Sequence, residues 1–398
     1  MRTAVSFGSA FGLALAVAVG CGSSDEDTSA AGTTSGSGAS GTGGATSTGG
    51  ATSTGGSTST GGSTSAGGAG GAGGNGGAGG AGNGGAGGAG NGGGSAGGGG
   101  GGGAPNGIKT VFVIVMENKA WCEVEGSADA PYINGTLLAQ GASATNYKGP
   151  NDGNLHPSEP NYIWMEAGDN LGITTDDDPG TNHQATTDHL VTYLANAGVT
   201  WKSYQQGIAG NVCPLTSVAD YKPKHNPPVF FDDVTNTNDP NSQTCIAHNR
   251  PLTELDTDLA NGTAAQYNFI TPDQCHDMHD SCPPLNNTVA QGDAWLQEWI
   301  PKIQASAQYQ DGGAIFVTWD EAESSVPSGS LCCILGNCPI GMIVLSPLAK
   351  PGGYTSSIAY DHSSFLKSMQ EIFGAMPLLR HAGDPATQDL ADLFTTFP

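Results

Sequence analysis

Between Gly22 and Gly107 the chain packs in 40 of its 65 glycines, and nearly all the remaining positions are Ala, Ser, Thr or Asn. No Val, Leu, Ile, Met, Phe, Tyr or Trp interrupts the stretch. Such a segment has too little apolar surface to offset the conformational entropy lost on ordering. The folding problem therefore reduces to residues 108–398, which hold all six tryptophans. Their number suits one large core and is short for two. We expect one folded domain behind a disordered Gly-rich tether over 21–107, a coil whose ends lie roughly 50 Å apart.

Residues 1–20 read as an export signal. Arg2 precedes an apolar run from Phe11 to Val19 that is too short to cross a bilayer as a mature helix. The run ends in Ala18, Val19, Gly20 and Cys21, which resembles the lipobox of bacterial lipoproteins. The resemblance implies lipidation at Cys21, a lipoprotein signal peptide over 1–20, a membrane anchor, and an exported protein held at the cell envelope. The other eight cysteines are Cys122, Cys213, Cys245, Cys275, Cys282, Cys332, Cys333 and Cys338. In an exported domain they allow up to four disulfides, with the pairing left open. No pair of Cys-x-x-Cys motifs supports a zinc ribbon.

Charge narrows the partners. Residues 108–398 carry 11 basic and 33 acidic groups, a formal charge of −22. A surface of that sign repels phosphate backbones, so no nucleic-acid partner is expected. An anionic substrate would need a local cation, and a metal is the natural source.

Continuous apolar β-branched runs read as buried parallel strands rather than half-exposed ones. They cover Thr110–Met116, Gln266–Ile270, Gly313–Trp319 and Gly341–Leu345. Helical periodicity covers Thr187–Ala197, Asn287–Ala305 and Ser363–Phe373. This alternation predicts an α/β fold with a mostly parallel central sheet and helices on both faces, in which ligands bind beyond the carboxyl ends of the strands.

Polar clusters follow those ends. Glu117 and Asn118 come directly after the first strand and suit a hard divalent ion. In the string His156 to Tyr162, prolines bracket Ser158, and a rigid turn would present its hydroxyl. Asp273 to Asp280 supplies His276, Asp277, His279 and Asp280 for metal binding or proton transfer. Asp320 and Glu321 follow another strand. Asp361 to Ser364 opens the last long helix, where Asp361 or Ser363 also suits a plain N-cap.

These strings resemble a known family: the bacterial and fungal phosphoesterases that include acid phosphatases and non-toxin phospholipases C, within the alkaline-phosphatase-like superfamily. The matching stretches are Val115–Asn118, His156–Tyr162, Thr200–Gln206, Tyr221–Phe231, Phe269–Asp280, Val317–Glu321 and Tyr360–Gly374, and the combination is closer to the acid-phosphatase branch. The resemblance implies a phosphoesterase catalytic domain over 108–398, acting on a phosphate-ester substrate. Glu117, Asn118, Asp320 and Glu321 would hold a divalent metal, with Ser158 as nucleophile forming a phosphoserine. His156, His279 and His362 are implied as catalytic, and Asn161, His225 and Asp277 as substrate-binding. Where related acid phosphatases often have Asn-Asp-Gly-His-Asp, this chain has His276, Asp277, Met278, His279 and Asp280.

The residues agree for a separate reason. Phosphoryl transfer needs positioning and charge neutralisation, and an un-ionised serine needs a metal or base. An all-oxygen donor set favours Mg, Mn or Ca, while the histidines leave Zn open. Other classes lack their marks: there is no Gly-x-Ser-x-Gly elbow, Walker loop or His-Glu-x-x-His. Cys213 to Ser217 does not match the sulfatase string Cys-x-Pro-x-Arg. The expected activity is phosphomonoester hydrolysis. The alternatives are phospholipase C action on lipid head groups and a non-catalytic envelope binding module.

Overall fold

The computed structural model describes residues 107–153, 155–323 and 338–398, which fall in one compact unit. Cys21, the expected signal peptide, the tether up to 106, and Cys332 and Cys333 lie outside the described residues.

Eight strands make one sheet: β1 Thr110–Met116, β2 Ala142–Ala144, β3 Trp201–Gln205, β4 Asn249–Pro251, β5 Tyr267–Thr271, β6 Gly313–Trp319, β7 Met342–Leu345 and β8 Tyr354–Ser356. Their spatial order is β4-β3-β5-β1-β6-β7-β2-β8. Every neighbouring pair is parallel except those of β7, which runs against β6 and β2. The α/β class and the mostly parallel sheet are as expected, and β1 and β6 keep their expected bounds. All residues of β1, β5, β6 and β7 are buried. Because side chains alternate between faces, burial of both sets means both faces of the central sheet are covered. That double cover is why these strands read as unbroken apolar runs.

Capping sets the helix bounds. The Asn287 side chain accepts from the Ala290 N–H and opens Thr288–Gln304. Asp361 accepts from the Ser363 and Ser364 N–H groups and opens His362–Phe373, so it is an N-cap. The helix expected from Thr187 starts only at Leu190, after an extended His189.

The stretch around Ser158 corrects the sequence reading. Instead of a strained turn, Ser158 begins the buried helix Ser158–Ala167. Pro160 lies in the first turn, where a missing N–H breaks no intrahelical bond. The helix is tied at its other end by His189, whose Nδ1 bonds Glu166 at 2.9 Å and Nε2 bonds Asp233 at 3.0 Å. The ring stacks on Phe231, with centroids 3.8 Å apart. Burial opposes charge on His189, but the hydrogen bonds to Asp233 and Glu166 outweigh it and raise the pKa above its ordinary value.

Disulfides join Cys213 to Cys245 and Cys275 to Cys282, and Cys122 and Cys338 are also disulfide-bonded. Just before β7, Gly341 has φ +75°, and a Cβ there would lie 2.0 Å from the Trp121 ring.

Two outcomes follow from these contacts. Gly341→Ala combines backbone strain with a clash against a buried indole and should cost about 2–4 kcal/mol in urea unfolding. The His189 contribution has the sign of a raised pKa: it is fully present below the unfolded pKa of about 6.5 and fades as pH rises through the higher folded value. The melting-temperature gap between wild type and His189→Gln should therefore be wide at acid pH and narrow on the alkaline side; a gap that widens with pH would contradict this.

Candidate active site

Strand register builds the site. Met116 of β1 pairs with Trp319 of β6, so Glu117 and Asp320 leave the sheet side by side. Main-chain bonds then lock both strand ends. Asp320 N–H donates to the Met116 carbonyl at 3.0 Å, and Glu117 N–H to the Asp277 carbonyl at 2.7 Å. Asn118, at φ +51°, enters through its backbone, donating its N–H to Asp320 Oδ1 at 3.0 Å. Left-handed geometry is one that asparagine tolerates.

Around this pair the distant strings meet. Glu117 is fully buried. Its Oε1 accepts from the Tyr162 hydroxyl at 2.5 Å, and its Oε2 lies 3.1 Å from Ser158 Oγ. The same Ser158 oxygen is 3.3 Å from Glu321 Oε1, so one hydroxyl proton faces two carboxylates. His156 Nδ1 pairs with Glu321 Oε2, which also accepts from Asn161 Nδ2 at 3.2 Å. Asn161 Nδ2 further donates to the carbonyls of Leu155 and Pro157, at 2.9 and 3.2 Å. Asn161 thus braces the turn before Ser158.

His225 stacks on Tyr162, with centroids 5.2 Å apart. Its Nε2 lies 3.4 Å from Glu117 Oε1 and its Nδ1 lies 3.5 Å from Asp277 Oδ2. Asp277 Oδ1 accepts the His279 N–H at 2.8 Å, and His279 Nδ1 pairs with Asp280 at 2.7 Å. His362 is fully buried, with Nδ1 2.9 Å from the Tyr147 hydroxyl and Nε2 2.7 Å from the Asp320 carbonyl. The carbonyl can only accept, which places the proton on Nε2 and makes Tyr147 the donor to Nδ1. With both nitrogens engaged, His362 supports the Asp320 main chain instead of facing open space. His276 pairs with Asp273 at 2.5 Å, and both line a cavity of about 690 Å³ with Trp295 and Trp299, whose lining includes neither Glu117 nor Asp320.

The electrostatics are those of crowded anions in a dry place. Burial raises Glu117 well above the usual carboxylate range, and Asp320 and Asp277 push it further. Burial also raises Asp320, helped by Glu321, and raises Asp277 against the opposing His279 N–H. His225 is driven well below the usual imidazole range by burial and then by Lys224, so its ring is neutral. His362 is lowered to about 4, chiefly by burial. His156 moves the other way, raised by its hydrogen bond to Glu321. Asp320 Oδ2, Asp277 Oδ2, Asn161 Oδ1 and His225 Nε2 are buried with no hydrogen-bond partner. Among the described residues, no trio of His, Cys, Asp or Glu side chains closes into a ready-made metal cage. The donor set nevertheless fits a hard cation: its oxygens are buried, its acids repel one another, and a bound ion would relieve both costs.

Sequence reasoning missed two contributors. Tyr162 and Lys224 lie inside quoted strings, but neither residue type signalled a role. Lys224 is largely buried, and its pKa is raised, against the cost of burial, by Asp176, Glu117 and Asp320. Met278, singled out above only as a departure from the family string, holds φ +84°. Its buried sulfur accepts from Trp319 Nε1 at 3.4 Å. Gly292 leaves it room, since a Cβ there would stand 2.4 Å from Met278 Cγ.

Known proteins are similar to this chain in sequence. A probable acid phosphatase of Kluyveromyces lactis is 29% identical over 283 residues, covering 69% of this chain and 61% of the relative, so the likeness spans only part of that protein. A phosphatidylinositol-3-phosphatase of Mycobacterium tuberculosis is 27% identical over 270 residues, covering 66% of this chain and 76% of its own. Among solved structures, an alkaline phosphatase superfamily protein of Vibrio parahaemolyticus has a TM-score of 0.43 at 11% identity, covering 71% of this chain and 72% of its own. The model of the phosphoesterase family matches residues 152–376. With that match spanning more than half of the sequence, across the Ser158 helix, the 273–280 loop and the Asp320 strand end, the chain belongs to the phosphoesterase family.

Proposed function

We propose that this chain is a divalent-metal-dependent phosphomonoesterase of the acid-phosphatase type, exported and lipid-anchored at the cell envelope, with Ser158 as its nucleophile. One observation carries the reading: the Ser158 hydroxyl opens a buried helix between Glu117 and Glu321, beside Asp320. Glu117, Asp320 and Glu321, with Asn118 and the Ser158 oxygen, would hold Mg, Mn, Ca or Zn, which supplies charge neutralisation at the phosphoryl oxygens and favours the serine alkoxide.

The residues do the rest. Ser158 gives its proton to a neighbouring carboxylate while its Oγ attacks phosphorus, and the bond from phosphorus to the ester oxygen breaks. The helix N-terminus favours the negative charge gathered there. His156, half-exposed and inclined to hold a proton by Glu321, delivers one to the departing alkoxide. Water then attacks the phosphoserine as His156 removes its proton, the bond from phosphorus to Ser158 Oγ breaks, the carboxylate returns its proton to Oγ, and phosphate leaves. His279 stands at the rim as the second imidazole. His225 and Asp277 back Glu117, and Asn161 and His362 hold the turn and the strand end.

Two measurements test this. Ser158→Ala should fold normally and lose about 10³-fold or more in kcat on p-nitrophenyl phosphate, while chelation should silence wild type and metal add-back restore it. Retained turnover in the alanine variant would end the nucleophile assignment, and faster turnover of phosphatidylcholine than of the monoester would favour the phospholipase. For the chelated protein, Asp320→Asn removes one of the mutually repelling buried acids and should raise stability at neutral pH by about 1–3 kcal/mol. An equal gain in the metal-loaded protein would show that Asp320 does not serve the ion.

A further inference from the structure

The helix that presents Ser158 lacks a local cap. Its N-cap position is Pro157, which has no side-chain acceptor, and helices normally need one for their first N–H groups. The acceptor comes from elsewhere in the chain. Asp176 Oδ1 accepts the Glu159 N–H at 2.9 Å, and Asp176 Oδ2 accepts from Lys224 Nζ at 2.7 Å. Lys224 sits in the short turn Pro223–His225. The next residue is His225, whose ring packs on Tyr162 and faces Glu117. A continuous path therefore runs from the nucleophile's helix through Asp176 and Lys224 to the group standing over Glu117.

We infer that the Lys224–Asp176 ion pair is a positioning clamp, which fixes the start of the Ser158 helix against the strand-end acids by capping it from a distance. Lys224 acts through Asp176 rather than by touching substrate. The lysine side chain is 16% exposed and that of Asp176 28%. This is covered enough for a hydrogen-bonded pair to have one geometry, unlike the mobile pairs of open surface. Glu159 adds to the corner: its Oε1 accepts from Asn182 Nδ2 at 2.9 Å. The assignment rests on Ser158 being the nucleophile.

The test is a double-mutant cycle in the full-length, metal-loaded protein, using Lys224→Met, Asp176→Asn and the pair, with p-nitrophenyl phosphate as substrate. Amide hydrogen exchange is read in parallel on the peptide covering 158–162, with β1 as internal reference. Each single change should lower kcat by about 10²-fold with KM little altered, the size expected of a nucleophile displaced by an ångström or so. The double variant should be no worse than either single, because both break one linkage. Exchange at the Glu159 amide should rise in all three while β1 stays protected, and Lys224→Arg should recover most of the rate. Should Lys224→Met fail to fold, Lys224→Gln with Asp176→Asn gives the same comparison. Additive losses, or a fall in kcat with unchanged Glu159 exchange, would assign Lys224 to direct substrate contact and overturn the clamp; unaltered kcat and exchange would do so outright. A wild type without phosphatase activity would defeat the functional reading instead, and the exchange measurement would still judge the clamp.

Discussion

Placing Glu117, Asp320 and Asp277 together out of water is the constraint to which the rest of this structure answers. Two unit charges 4 Å apart repel by about 4 kcal/mol at the effective dielectric of a protein site, and burial adds its own cost to each. A chain assembles such a group only if its backbone leaves no freedom to move apart. Parallel pairing of β1 with β6 removes that freedom, because Met116 opposite Trp319 fixes where the next residues emerge. The donors are few and individually placed: the Tyr162 and Ser158 hydroxyls for Glu117, the Asn118 N–H for Asp320, and the His279 N–H for Asp277. They leave buried carboxylate oxygens unsatisfied. A bound cation, as the proposed function requires, would offset that cost.

The loop after β5 meets the same demand with less obvious means. Its task is to bring the Asp277 carbonyl to the Glu117 N–H and the Asp277 side chain to the His279 N–H, a bend that requires positive φ at residue 278. Glycine would adopt that conformation freely. Methionine is strained there, and the strain is offset by burying a long side chain between Trp319 and Gly292. The exchange couples loop geometry to core packing: Met278 cannot leave its φ without withdrawing from the indole under β6. The Cys275–Cys282 disulfide closes the loop from outside.

Much of this was legible in the chain because the relevant signals are local. β1 and β6 kept their bounds since a doubly covered strand is apolar at nearly every position, and Asn287 and Asp361 announced their helices through their own side chains. The strings carrying Glu117, Asp277 and Asp320 were visible as polar residues after apolar runs. The misses share one cause, that a residue's role was set by a partner far away in sequence. The prolines around Ser158 suggested a turn because nothing nearby revealed that Asp176 caps the helix. For His362 the resemblance implied a catalytic role, and what the residue type could not reveal is that Tyr147 and the Asp320 carbonyl engage both its nitrogens. Lys224 was hidden by arithmetic: in a domain with 11 basic groups a single lysine carries no weight until its burial is known.

The charge balance of the whole domain then explains why recognition must be short-ranged. With 33 acidic against 11 basic groups over residues 108–398, an anionic ester is repelled during approach rather than steered. At physiological ionic strength that field fades over about 8 Å, so the surface charge hinders encounter without deciding what happens inside the site. Attraction has to come from groups within that range. The structure collects them at one end of the sheet: the His156 imidazole inclined to keep its proton, the Lys224 ammonium beside Asp176, the N-terminus of the Ser158 helix, and oxygens suited to a cation. Lys224 is already paired with Asp176, so under the proposed function a bound cation and His156 would supply the positive charge that the ester meets.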